Sequence, residues 1–86
     1  MNTPSRNDIS QTIQTVAQRV FGDPTLQITD NLGPDQLAAW TSLTYTQLLT
    51  EIETTFNIKF KILEISKMQT MGAIIDITMQ HLAAND

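Results

Sequence analysis

The chain has no cysteine. That excludes a disulfide framework and a thiolate metal site. It has one histidine, His81. A catalytic triad or a histidine metal site would find no second member here. Basic residues are also scarce: five Lys and Arg stand against nine Asp and Glu, for a formal net charge of −4. They are scattered, so no basic stripe exists to neutralise phosphates, and nucleic-acid binding is disfavoured. An acidic chain suits basic partner surfaces, or uses its charge for solubility. Apolar runs are too short to cross a bilayer. The first residues, MNTPSRND, resemble no signal sequence. A cytoplasmic monomer is the expectation. At 86 residues there is room for one small domain, with residues 1–7 and 83–86 expected to fray. Such a chain buries roughly 60–65% of its unfolded surface, too little for a deep enclosed active site. No nucleophile, base and orienter can be assembled from its residues, which argues against an enzyme.

What is present is organised around Trp40-Thr41-Ser42-Leu43 and the amphipathic run behind it. Tyr45, Leu48, Leu49, Ile52 and Phe56 recur at the spacing of one helical face. Thr46, Gln47, Thr50, Glu51, Glu53 and Thr54 form the polar outer face. The pattern predicts a helix from about Ser42 to Asn57. A serine at a helix start has two uses. It can cap orphan backbone N–H groups, or it can present its oxygen for modification. Thr44 with Gln47 also has capping-box spacing, which would start the helix two residues later.

Upstream, Ile9, Ile13, Val16, Ala17, Val20 and Phe21 predict a helix over 8–21, capped by Asp8 or Ser10 and stopped by Gly22 and Pro24. Residues 22–41 form a long connection anchored by Leu26, Ile28, Leu32, Leu37 and Trp40, with a helical turn expected near Asp35 to Ala39. Its Asp30-Asn31-Leu32-Gly33-Pro34-Asp35 run is not a calcium loop, because Leu32 and Pro34 occupy positions that need oxygen ligands. Downstream, Ile58 to Ile62 alternates apolar and basic residues. A lone strand cannot satisfy its backbone, so an extended linker is expected. Leu63 to Met68 reads as a short helix or turn plugging the bundle. Thr70 then caps a last helix carrying Ile74, Ile75, Ile77, Thr78 and Leu82. His81 is expected at the surface. The fold class is therefore all-α: a small antiparallel bundle of three main helices and one short helix, with a long loop between the first two.

These landmarks resemble the acyl carrier protein family. The family has an Asp-Ser-Leu tripeptide at the start of its second helix, often preceded by Trp in specialised stand-alone members. An apolar face ending in a Phe-x-Ile turn follows, then a short helix and a final Gly-containing helix. Here one reads Trp40-Thr41-Ser42-Leu43, Ile52-Glu53, Phe56-Asn57-Ile58, Glu64-Ile65, Met68, Thr70 and Gly72 to Asp76. The resemblance implies a carrier in which Ser42 holds 4′-phosphopantetheine, drawn from coenzyme A. The thiol of that arm would bear acyl or aminoacyl groups as thioesters. It implies a phosphopantetheinyl transferase and acyl- or aminoacyl-loading and synthase enzymes as partners. Thr41, Leu43, Thr46, Gln47, Thr50 and Glu53 fall at partner-facing positions. Met68, Met71 and Met79 read first as ordinary core filling; as pliable side chains they would also suit a core that repacks around cargo.

Two departures mark this sequence. Thr41 stands where the family usually has the Asp that helps the transferase recognise its substrate. The outer face of the second helix, usually acidic, keeps only Glu53. The implied setting is a specialised polyketide, peptide or lipid pathway more than bulk fatty-acid synthesis. The alternative that Thr41 raises is a non-carrier helical interaction module of the same fold that is never loaded.

Overall fold

In the computed structural model, which describes residues 4–84, four helices follow one another: α1 (Arg6–Val20), α2 (Ser42–Phe56), α3 (Ile62–Ile65) and α4 (Met71–Ala84). No strand occurs among the described residues. The fold is the all-α bundle expected from the hydrophobic periodicity. Among the described residues, no helix is long and apolar enough to cross a membrane.

Local chemistry sets each helix end. α1 starts earlier than the sequence suggests. Ser5 is its N-cap, with Oγ accepting the Asp8 N–H at 3.1 Å while the Asp8 carboxylate accepts the Ser5 N–H. This capping box outcompetes Asp8 or Ser10 as the cap, because it satisfies two orphan donors reciprocally. Residues 5–7 are therefore cap and first turn, not a frayed end; residues 1–3 lie outside the described residues. At the other end Gly22 sits at φ +69°. Its N–H donates to the Arg19 carbonyl and the Asp23 N–H to the Gln18 carbonyl, a Schellman closure that glycine allows without a Cβ penalty. Asn57 ends α2 in the same left-handed region, at φ +56°.

The long connection lies pinned across the bundle. The Gln14 side chain accepts the Ile28 N–H, and the Gln18 side chain donates to the Leu26 carbonyl. At its far end the Leu32 and Asp30 carbonyls accept the N–H groups of Met71 and Gly72 at 2.9 and 3.0 Å. Two orphan donors of the first turn of α4 are thus satisfied by the loop. Thr70 Oγ1 accepts the Ala73 N–H, capping α4 as expected. A Cβ at Gly72 would meet the Asp30 backbone at 2.9 Å, so this contact needs glycine. Arg6 reinforces the corner, pairing with both Asp30 and Asp76. Residues 34–36 and 38–39 make separate turns, not the helical turn expected near Asp35 to Ala39.

α1 packs against both α2 and α4. Ile9, Ile13, Leu48, Ile52, Met68, Met71, Ile74 and Ile75 are sealed from solvent at the centre. In the linker before α3, which ends at Lys61 and not at Ile62 as expected, Ile58 and Phe60 turn inward and Lys59 and Lys61 outward. α3 corrects the sequence reading. It covers only Ile62–Ile65 and buries none of its residues. Ile62 and Leu63 are 85% and 76% exposed; the plug is Met68, beyond its end. α4 continues through Ala83 and Ala84, so the expected fraying does not reach them; residues 85 and 86 lie outside the described residues. One buried group is anomalous: the Thr78 hydroxyl, fully enclosed, has no hydrogen-bond partner among the described residues.

Candidate functional site at the start of α2

The tip of α2 separates the two uses of serine. Thr41, not Ser42, is the N-cap, with φ −118° and ψ 175°. Its Oγ1 accepts the Thr44 N–H at 3.2 Å, and Thr44 Oγ1 accepts the Thr41 N–H at 2.8 Å. The Thr44 hydroxyl proton goes to the Ala39 carbonyl, 2.6 Å away. The capping box is therefore Thr41 with Thr44, and the alternative start at Thr44 with Gln47 is not used. Threonine and aspartate both cap helices well, so Thr41 performs the structural part of an aspartate's job without its charge.

Ser42 is left free. It is the first helical residue, it is exposed, and its hydroxyl has no partner among the described residues. The first turn of α2 contains no acidic side chain. Its partial positive charge therefore remains available to an anion, an interaction of about 0.3–1 kcal/mol at an exposed site.

A groove of about 570 Å³ opens beside Ser42, lined by Pro34, Trp40, Thr41, Tyr45, Ile65, Ser66, Met68 and Gln69. Trp40 is buried in its wall. It stacks on Phe21 and on Tyr45, each at 5.8 Å between ring centroids. Its role as the anchor of the loop is met. The Tyr45 hydroxyl reaches across to the Met68 carbonyl at 2.8 Å and the Ile65 carbonyl at 3.1 Å. Desolvation pushes its pKa up from the ordinary phenol value, which favours the protonated, donating form further. The sequence reading placed Tyr45 on the apolar stripe only. The available signal was that a half-buried tyrosine hydroxyl needs a partner.

The other named residues divide. Thr41 and Leu43 flank Ser42 at the tip, and Leu43 is 67% exposed. Thr46, Gln47 and Thr50 lie exposed along the same helix, and Thr46 donates to the Ser42 carbonyl. Glu53 does not join them as a free charge. It sits roughly 16 Å down the axis from Ser42, half-buried, with Oε2 accepting the Phe60 N–H at 2.8 Å. Glu51 pairs with Arg19. His81, expected at the surface, is half-buried. It packs edge-on against Phe60 and meets Glu64 Oε1 at 2.7 Å.

No family model matches the chain, and no curated protein sequence does. Among solved structures it is similar to the holo acyl carrier protein of Geobacter metallireducens, determined by solution NMR. The TM-score is 0.84 and the identity 25%, over 90% of this chain and 88% of that one. The chain has an acyl-carrier-protein-like fold.

Proposed function

We propose that this protein is a carrier: Ser42 is modified with 4′-phosphopantetheine, and α2 presents the arm to visiting enzymes. The observation that carries this reading is a free, exposed serine hydroxyl one residue inside a helix already capped by its neighbour. Ser42 can therefore be esterified without loss of a structural hydrogen bond. The residues around it suit the group. The uncompensated N–H groups of the first turn favour a phosphodiester, and the groove beside Trp40 and Tyr45 gives an arm a surface to rest on. When bound, the group supplies a thiol that holds acyl or aminoacyl cargo as a thioester, chemistry a chain without cysteine lacks.

The chain itself does three things. Thr41 and Thr44 fix the first turn, so Ser42 projects from a rigid element. Leu43, Thr46, Gln47 and Thr50 offer partners an uncharged face read by shape and hydrogen bonds. Phe21, Trp40 and Tyr45 hold the loop behind the tip. The partners are a phosphopantetheinyl transferase and dedicated loading and synthase enzymes of a specialised polyketide, peptide or lipid pathway.

Incubation with coenzyme A and a broad-specificity transferase, followed by intact mass, tests this. A mass gain of one arm, absent in Ser42→Ala, is expected. No gain with any transferase would instead favour a helical interaction module, the reading that Thr41 in place of aspartate supports.

A further inference from the structure

α3 is held to the bundle in an unusual way. It buries no residue of its own, and two of its four side chains, Ile62 and Leu63, stand in solvent. Only Ile65 packs partly on the core, so polar ties contribute much of what fixes its position. Glu64, near its C-terminal end, meets His81 of α4. The Tyr45 hydroxyl bonds the carbonyls of Ile65, the last residue of α3, and of Met68 just beyond it. Those carbonyls edge the groove beside Ser42. Behind them Met68 is fully buried and belongs to the same core as Leu48, Ile52, Met71 and Ile74. A cargo chain passing from the groove to the core between α2 and α3 must break the Tyr45 bonds and displace Met68.

We infer that Tyr45 is a specificity-determining latch that closes the seam between α2 and α3, so that the interior is shut to linear alkyl cargo and the protein carries short or polar acyl groups held in the outer groove. This rests on the reading that Ser42 bears the arm, and it names the class of cargo that reading leaves open. Tyr45 acts by position; it takes no part in the chemistry of the thioester. Its ring also stacks on Trp40, so Tyr45→Phe removes the tie and keeps the stack.

The test loads wild type and Tyr45→Phe with acetyl or octanoyl arms, using the matching coenzyme A thioesters and a broad-specificity transferase. Methyl spectra of Leu48, Ile52, Met68 and Met71 are then compared between the two cargoes within each protein. A purely structural effect of the substitution shifts both spectra alike and cancels. In wild type the acetyl and octanoyl spectra should superimpose at these methyls. In Tyr45→Phe the octanoyl form should move them and the acetyl form should not. Equal octanoyl shifts in both proteins, or none in either, overturn the latch. Absence of any mass gain overturns the carrier reading, and the cargo assignment with it.

Discussion

Nε2 of His81, in the last turns of α4, lies 2.7 Å from Oε1 of Glu64 in α3. The same Glu64 oxygen accepts the Lys61 N–H at 2.8 Å. The Lys61 N–H first, and His81 second, hold the Glu64 carboxyl below its ordinary pKa. A carboxylate whose folded pKa is depressed stabilises the fold fully above the unfolded value, about 4.3. That contribution is lost as pH falls through the lower folded value. Glu64→Gln should therefore unfold at lower temperature at neutral pH and show a smaller further loss between pH 5 and the acid limit. Thermal melts across that window check it; an unchanged acid slope would mean the pair does not couple to folding.

The cap at Thr41 and the free hydroxyl at Ser42 predict opposite responses to neighbouring substitutions. Thr41→Ala deletes an N-cap and should cost about 1 kcal/mol, lowering the melting temperature by roughly 4–8 °C in a domain of this size. Ser42→Ala removes a group without a partner and should stay within about 0.5 kcal/mol of wild type. Thr41→Asp keeps a capping oxygen, so stability should change little, while transferase loading should accelerate. Melts and initial loading rates separate the three. A Ser42→Ala loss as large as that of Thr41→Ala would make the serine structural.

Periodicity made α1, α2 and α4 legible, because each carries a stripe wide enough to identify its buried face. Asn57, Gly22 and Thr70 were legible as stops and caps because their chemistry is local. α3 was legible as a short helix, but its bounds and its exposure were not, since tertiary hydrogen bonds from Tyr45 and the Glu64–His81 contact help to place it. Exposure of Ile62 and Leu63 likewise had no local signature. Ser42 was singled out correctly as a helix-start residue, but the choice between cap and free hydroxyl turned on a reciprocal bond between Thr41 and Thr44. That pair was hidden by the competing Thr44 and Gln47 spacing. Glu53 read as a surface charge because nothing in sequence announces that the chain returns to place the Phe60 N–H against it.

The enclosed hydroxyl of Thr78 predicts a stabilising substitution. Thr78 is fully buried on the inner face of α4, and its Oγ1 has no partner among the described residues. An unsatisfied buried polar group costs roughly 1–3 kcal/mol. Valine has nearly the same shape without that cost. Thr78→Val should raise the urea midpoint by the equivalent of about 1 kcal/mol, with an unchanged slope. A lowered midpoint would show that the hydroxyl is satisfied in solution.

Gly72 predicts the reverse. A Cβ there meets Asp30 backbone and side-chain atoms at 2.9 Å, at the place where Gly72 donates to the Asp30 carbonyl. Backbone cannot give way as a flexible side chain can. Gly72→Ala should therefore cost about 1–3 kcal/mol despite alanine's better helix propensity of about 1 kcal/mol. Urea unfolding measures the balance. A neutral or stabilising result would mean that the loop lifts away from α4 easily.

The solvent face of α2 carries no free carboxylate near Ser42, since Glu51 pairs with Arg19 and Glu53 accepts the Phe60 N–H. Recognition through Leu43, Thr46, Gln47 and Thr50 should then depend weakly on salt. Raising ionic strength from about 0.1 to about 1 M shortens the screening length from ~10 to ~3 Å. Over that range the transferase loading rate at subsaturating carrier should fall by less than about threefold, where steered association falls steeply. Leu43→Ala should raise KM by about tenfold, equivalent to ~1.4 kcal/mol, without changing the melting temperature, because the side chain is mostly exposed. A steep salt dependence with an unmoved KM for Leu43→Ala would transfer recognition to charge. The exposed lysines at 59, 61 and 67 would then be the residues to neutralise next.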